Sequence, residues 1–161
     1  SGRGEAMMSD EMAQKLASAN FKRIHSGIEA LNDDILAFFR KPVRTKQITQ
    51  FCKIANKHKI DILGYFIIGS PLDTQEYWES LPAKIRELKI KHPFFNMLYP
   101  EPNTDYYRSL LKGGYYDKDH WAEYMEDPTP YYEIPYPYGE DRKKEVINKV
   151  NELIAEFKVE N

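Results

Sequence analysis

Apolar and polar positions along the chain predict helices and strands in alternation. A helical period over 10–20 is followed by a strand pattern over 21–28, and then by a short helix over 33–39 with Asn32 as its N-cap. Thr45 is a candidate cap for a further amphipathic helix. The first part of the chain is therefore predicted to form a strand between helices.

The longest apolar run, 60–68, predicts a strand that is buried on both faces, as parallel strands between helices are. Thr74 is the predicted cap of the next helix, and 94–99 predicts a third strand that ends before Pro100. Because strands and helices alternate, the sheet is predicted to be parallel. The predicted fold class is α/β: a partial TIM-like barrel of about three parallel strands, adjacent in chain order, with helices on one side.

Aromatic residues make up 14% of the chain and are concentrated in 94–138. Aromatic rings bury a large area without periodic structure, so this composition predicts an irregular segment that covers the scaffold. Within this segment Asp117 is a candidate helix cap, and an amphipathic helix over 141–157 follows it. We therefore divide the chain into a barrel part, 1–112, and an aromatic and Pro-rich strap with a terminal helix, 113–161.

Charged residues make up 30% of the chain, with both signs interspersed and a net charge of −2, which indicates neither a nucleic-acid nor a membrane partner. With no apolar run near the roughly 20 residues of a bilayer span and no signal peptide pattern, we expect a cytoplasmic protein. Cys52 lies in a helical pattern and is interpreted as a buried apolar residue. Lys41 and Arg44 are interpreted as part of a solvated loop, with contact to a carboxylate or phosphate as the alternative. The four histidines are not at ligand spacing, so no metal site is predicted in this chain.

Ligands bind at the C-terminal ends of parallel strands, where backbone groups are unpaired and helix N-termini point inwards. Three predicted turns meet this condition. The first offers the Glu29 carboxylate beside Ser26, and the third places Tyr99 at the same rim. In the second, the apolar side chains of Ile67 and Ile68 can sandwich a flat ring, and the open backbone at Ile68 and Gly69 can contact its edge. The alternative at each turn is an ordinary strand-to-helix loop, with Glu29 as a helix cap or in a surface ion pair.

The three turns resemble, in order and spacing, successive turns of the radical S-adenosylmethionine (SAM) barrel. They read Ser26-Gly-Ile-Glu29, Gly64-Tyr-Phe-Ile-Ile-Gly-Ser-Pro-Leu-Asp-Thr74 and Tyr99-Pro-Glu-Pro-Asn-Thr104. The resemblance covers roughly residues 3–112. It places Arg3 at the position where many relatives end their third strand with an arginine. It implies that Glu29 and Ser26 contact the ribose and methionyl part of SAM, that Ile68 and Gly69 contact its adenine, and that Tyr99 lies at the same site.

Residues 119–130 resemble the segment after the barrel in radical SAM proteins that carry an N-terminal cobalamin-binding domain. The Cys-x3-Cys-x2-Cys loop that binds the family's 4Fe-4S cluster is absent, and Ala30 replaces a small hydroxyl residue. The resemblance implies that the chain is the C-terminal part of a longer enzyme that cleaves SAM to a 5′-deoxyadenosyl radical. Its cofactors would be SAM, a 4Fe-4S cluster and, as a further candidate, cobalamin.

In that interpretation the partner of this chain is the missing N-terminal part of the same enzyme, and the substrate is a small molecule or unknown. The chain alone, with no catalytic residue of its own and one thiol where three are required, is expected to be inactive. The alternative is a non-catalytic α/β binding module that uses the aromatic segment from Tyr99 to Tyr138 for a peptide, glycan or protein partner.

Overall fold

The structure is a computed structural model that describes residues 8–128 and 133–158, so Arg3 lies outside the described residues. The helices and strands, in chain order, are α1 (Asp10–Ser18), β1 (Arg23–Glu29), α2 (Asp33–Phe38), α3 (Thr45–Lys57), β2 (Asp61–Ile68), α4 (Gln75–Glu87), β3 (His92–Met97), α5 (Asp105–Lys112), α6 (His120–Glu126) and α7 (Glu140–Lys158).

The three strands form one parallel sheet in the order β1-β2-β3. Ser26 lies opposite Gly64, and Phe66 lies opposite Phe95. The strand β3 begins at His92, earlier than predicted, because His92 pairs with Leu63. The predicted α/β class, with three adjacent parallel strands and flanking helices, is confirmed.

The two faces of the sheet differ in burial. The side chains of Ile28, Ile62, Phe66, Ile68 and Phe95 belong to a buried core that also contains residues of α3, α4 and α7. The alternate positions of the strands point to the opposite side, which we call the open face. Apart from the buried Leu63, it presents half-buried or exposed side chains, namely His25, Tyr65, Ile67, Phe94 and Asn96. The helices therefore cover one side of the sheet, as predicted.

The side-chain oxygens of Asn32, Thr74 and Thr104 cap α2, α4 and α5, as local sequence predicts. The prediction of Thr45 as a cap is wrong, because Arg44 occupies the N-cap position and Thr45 is the first helical residue. The Thr45 N–H donates to Oδ1 of Asp33 at 2.7 Å. The neighbouring helix α2 thus supplies this hydrogen bond, which a local pattern does not reveal.

The predicted cap of α6 is also displaced. Asp119, rather than Asp117, caps this helix, since its Oδ1 accepts from the N–H groups of Trp121 and Ala122, both at 3.1 Å. The shift shortens the predicted helix at its start, and Asp117 remains largely exposed.

The C-terminal helix α7 belongs to the same core as the sheet. Val146 and Leu153 are fully buried in that core, and the Phe157 ring lies 5.8 Å from the Phe95 ring, measured between centroids. The division of the chain after residue 112 stays a prediction. Among the helices of the described residues, none combines the length and apolar content that a bilayer-spanning segment requires.

Candidate functional site

The C-terminal ends of the three strands lie along one edge of the sheet, because the strands are parallel and adjacent. The last strand residues are Glu29, Ile68 and Met97, so the backbones of all three predicted turns begin at this edge. An edge of this kind exposes strand-end backbone groups to a ligand. The side chains at the edge decide what it can bind.

Glu29 ends β1 in an unusual backbone conformation. The pairing with β2 shifts register between Gly27 and Glu29, and Glu29 has a φ of 64°, in the left-handed region that costs a non-glycine residue free energy. A β carbon placed on Gly27 would lie 2.6 Å from the Glu29 carboxylate. Gly27 pairs with Tyr65, so the carboxylate lies on the open face of the sheet.

Lys41 is the partner of this carboxylate. Its Nζ lies 3.4 Å from Oε1 of Glu29 and donates to the Gly27 carbonyl at 2.5 Å. Both charged side chains are only about one-fifth exposed, at 19% for Lys41 and 20% for Glu29. The interpretation of Lys41 as part of a solvated loop is therefore wrong.

The end of α2 directs Lys41 back over β1. Arg40 takes a left-handed φ of 52°, the Lys41 N–H donates to the Leu36 carbonyl, and the Arg40 N–H donates to the Ala37 carbonyl. This is the Schellman pattern, in which glycine is the usual left-handed residue. An arginine in that place carries no local sequence signal, so the sequence does not indicate that the turn directs Lys41 to Glu29.

The turn after β2 is held together by the buried carboxylate of Asp73. Its Oδ2 accepts from the Gly69 N–H and from Nε1 of Trp78, both at 2.8 Å, and its Oδ1 accepts from the Ser70 hydroxyl at 2.5 Å. The Gly69 carbonyl accepts from the Tyr136 hydroxyl at 3.1 Å. Both backbone polar groups of Gly69 are thus engaged within the protein.

Ile68 and Ile67 point to opposite sides of the sheet. The Ile68 side chain is fully buried in the core, and its carbonyl accepts from the Leu98 N–H at 2.7 Å. Ile67 is half-buried, on the open face opposite Asn96. Of the two isoleucines that were predicted to sandwich a flat ring, Ile67 therefore offers its side chain on the open face and Ile68 does not.

Ser26 and Tyr99 have surroundings of their own within the protein. Ser26 is buried on the covered face, opposite Gly64. The Tyr99 hydroxyl accepts from the Ile134 N–H at 3.4 Å, and its ring meets that of Trp121 edge-on. The structure thus combines Glu29 with Lys41, while cofactor contacts by Ser26, Ile68, Gly69 and Tyr99 stay predictions.

The described residues do not provide ligands for an iron-sulfur cluster. Across 8–128 and 133–158 there is no group of three or more His, Cys, Asp or Glu side chains that could hold a metal ion. Cys52 is buried on the inner side of α3, and desolvation raises the pKa of its thiol to about 12. A thiol of that kind stays protonated, whereas thiolates bind metals.

A solved structure supports the fold. The chain superimposes on a radical S-adenosylmethionine methyltransferase, TsrM from Kitasatospora setae, determined with cobalamin and a 4Fe-4S cluster bound. The TM-score is 0.53 at 15% sequence identity, over 60% of this chain and 20% of TsrM. At this identity the likeness shows a shared fold alone.

Curated relatives are methyltransferases. The chain is 30% identical over 122 residues to bacteriochlorophyllide d C-12(1)-methyltransferase of Chlorobaculum tepidum, over 73% of this chain and 27% of that enzyme. It is 26% identical over 121 residues to an uncharacterized methyltransferase of Pyrococcus horikoshii, over 74% of this chain and 26% of the relative. The C-8(2)-methyltransferase of C. tepidum is 24% identical over 114 residues, with 69% and 25% covered.

The chain spans about a quarter of the length of these relatives. No protein-family model matches it. The chain is thus related in sequence to methyltransferases, and its fold is similar to that of part of TsrM.

Proposed function

We propose that this chain is the C-terminal part of a longer radical SAM enzyme of the methyltransferase type, and that the open-face rim of its sheet supplies contacts to SAM. The partly buried pair of Glu29 and Lys41 carries this proposal. A carboxylate that is held in a left-handed turn at the end of a parallel strand is costly in free energy, and such strain is concentrated at ligand sites. The relation to methyltransferases gives the pair its chemical context.

The charges of the pair match those of SAM. The Glu29 carboxylate can accept from the ribose hydroxyls or the methionyl ammonium group, and the Lys41 ammonium can donate to the methionyl carboxylate. Ile67 adds apolar surface on the same face for the adenine ring. When bound, SAM supplies a methyl group or, on reductive cleavage, a 5′-deoxyadenosyl group.

The cluster and the corrinoid belong to other parts of the proposed enzyme. The described residues do not fit a 4Fe-4S cluster, so its ligands would come from the N-terminal part of the longer chain. Cobalamin is bound in the TsrM structure, of which this chain covers 20%, and it is a candidate cofactor of the whole enzyme. The coding sequence upstream tests this directly, since the proposal requires a Cys-x3-Cys-x2-Cys motif there.

The internal bonding of the aromatic segment favours the enzyme over the binding module. The Tyr107 hydroxyl donates to Asp119 at 2.9 Å, that of Tyr116 to the Pro135 carbonyl at 2.8 Å, and the Trp121 indole N–H to the Pro100 carbonyl at 2.8 Å. These groups hold the segment together and are not directed to a partner. A scaffold role fits them better than a recognition groove.

Titration of the 161-residue chain with SAM, followed by saturation-transfer NMR and calorimetry, tests the assignment of the rim. Glu29→Gln keeps the size of the side chain and removes its charge, so SAM affinity should fall about tenfold, the effect of one charge-assisted hydrogen bond. Glu11→Gln, on the exposed surface of α1, is the matched control and should leave the affinity unchanged. Equal affinity of Glu29→Gln and the parent chain would refute the site.

A further inference from the structure

A cleft lies at the same edge of the sheet, between the C-terminal end of α2 and the helix α5. Its volume is about 380 Å³, and its lining includes Leu98, which follows β3 directly. Neither Glu29 nor Lys41 lines this cleft. A volume of this size lies in the range of small-molecule sites.

The walls of the cleft are aromatic. Phe38, Phe39 and Tyr106 are half-buried, and the Phe38 ring meets the other two edge-on, with centroids 5.3 Å from Phe39 and 5.6 Å from Tyr106. The Tyr106 hydroxyl is bonded to that of Tyr138 at 2.9 Å, so Tyr106 contributes its ring to the cleft. Such walls suit a flat, apolar ligand body.

Arg40 and Asp105 line the cleft, and Arg108 contacts Asp105 from outside it. Arg40 forms an ion pair with Asp105, and Nη2 of Arg108 donates to the other oxygen of the same carboxylate at 2.7 Å. Hydrogen bonding to Arg108 and the charge of Arg40 lower the pKa of Asp105, which therefore stays ionised. Two guanidinium groups share one carboxylate, which leaves one positive charge uncompensated within this trio.

The backbone that presents Arg40 is fixed. Arg40 occupies the left-handed position of the Schellman turn that ends α2, and its side chain reaches across the cleft to α5. A guanidinium group on a fixed turn is suited to two parallel hydrogen bonds with a planar carboxylate.

We propose that this cleft binds a planar aromatic carboxylate, with its ring against the wall formed by Phe38, Phe39 and Tyr106 and its carboxylate on Arg40. The ligand would replace Asp105 as the partner of Arg40, while Arg108 would keep Asp105 paired. No charge would then be left without a partner after the exchange. The site is separate from the proposed SAM contacts, and its occupation does not depend on SAM.

The test uses 2-naphthoate and its neutral analogue 2-naphthamide, titrated into the 161-residue chain and followed by backbone-amide NMR. We expect both to shift the signals of residues 38–40 and 105–109, with naphthoate binding several-fold more tightly at low salt. Raising the ionic strength should reduce this preference, because Arg40 is exposed at the mouth of the cleft. Equal binding of the two compounds, or shifts elsewhere in the chain, would overturn the proposal.

Arg40→Gln isolates the role of the guanidinium group. This substitution should weaken naphthoate binding up to about fivefold, the scale of an exposed ion pair, and leave naphthamide binding as it was. Arg23→Gln, on the exposed start of β1, is the control and should leave the binding of both compounds unchanged. Ser109→Leu places a larger side chain in the cleft and should weaken both compounds. Unchanged naphthoate affinity in Arg40→Gln would refute the carboxylate assignment.

Discussion

The backbone of Glu29 carries a steric cost. Its left-handed φ of 64° favours glycine, yet the position holds a glutamate whose carboxylate pairs with Lys41. A glycine there would relieve the steric cost that the β carbon imposes. The presence of a glutamate at this position is what we expect if its carboxylate binds a ligand.

We predict that Glu29→Gly is more stable than Glu29→Ala by about 1 kcal/mol. Both variants lose the carboxylate and the contact with Lys41, so they differ in the cost of the left-handed backbone alone. Urea denaturation of the two variants measures this difference. The control pair is Glu79→Gly and Glu79→Ala, in the exposed interior of α4, where glycine should be the less stable by a similar amount. An alanine variant at 29 as stable as the glycine variant would contradict the prediction.

At the scale of elements, the turn between β2 and α4 depends on a single carboxylate. Asp73 accepts three hydrogen bonds inside the protein, and its own carbonyl accepts from Nη2 of Arg142 at 3.1 Å. The Arg142 guanidinium also lies 4.5 Å from the centre of the Trp78 ring. The turn is therefore tied both to α4 and to the C-terminal helix α7.

We predict that Asp73→Ala destabilises the protein by roughly 3 kcal/mol or more, because it leaves the buried Gly69 N–H and the Trp78 indole N–H without an acceptor. The free energy of unfolding in urea measures the loss. Asp117→Ala is the matched control, since that side chain is 88% exposed, and it should change stability by less than about 0.5 kcal/mol. A loss at Asp73 as small as that at Asp117 would mean that other groups hold the turn.

The elements that the sequence could predict are those whose stabilising hydrogen bonds join residues close together in the chain. The caps Asn32, Thr74 and Thr104 bond to residues two or three positions away, so a local pattern identifies them. The hydrogen bond that Asp33 accepts from Thr45 and the turn at Arg40 depend on folding of the chain around α2. Those two features could not be read from local sequence.

The candidate site follows the same rule. The turn that contains Glu29 is predictable from its position after a strand, whereas the pairing of Glu29 with Lys41 depends on the turn at Arg40. Whether the side chain of Ile67 or that of Ile68 is accessible to a ligand depends on which face of the sheet the helices cover. A nearly continuous apolar run such as 60–68 does not indicate that face.

At the scale of the whole molecule, tyrosine hydroxyls hold the C-terminal segment to the sheet and to itself. Tyr136 donates to the Gly69 carbonyl, Tyr106 bonds to Tyr138, and Tyr116 bonds to the Pro135 carbonyl. A β carbon on Gly69 would lie 2.8 Å from Val146, so α7 approaches this turn as closely as glycine allows. The aromatic segment, α7 and the candidate site are thus parts of one connected structure.

Burial of these rings makes the stability of the whole molecule sensitive to alkaline pH. Desolvation raises the pKa of Tyr136 from 10.0 to about 12, and it also raises the pKa values of Tyr99, Tyr107 and Tyr138. In the unfolded chain these phenols ionise near pH 10. The stabilisation that comes from keeping them neutral is fully present below pH 10 and is lost as the pH rises through the folded-state pKa.

We therefore predict that the free energy of unfolding in urea falls steeply between pH 10 and pH 12, and that Tyr136→Phe makes this fall less steep. The phenylalanine variant also loses the hydrogen bond to Gly69, which lowers stability by about 1 kcal/mol at neutral pH without adding a titrating group. Tyr115→Phe is the control, because Tyr115 is 54% exposed and its removal should leave the slope unchanged. The free energy of unfolding could instead depend on pH in the same way in the parent chain and in Tyr136→Phe. That result would contradict the prediction, because it would mean that the Tyr136 hydroxyl is not shielded from water.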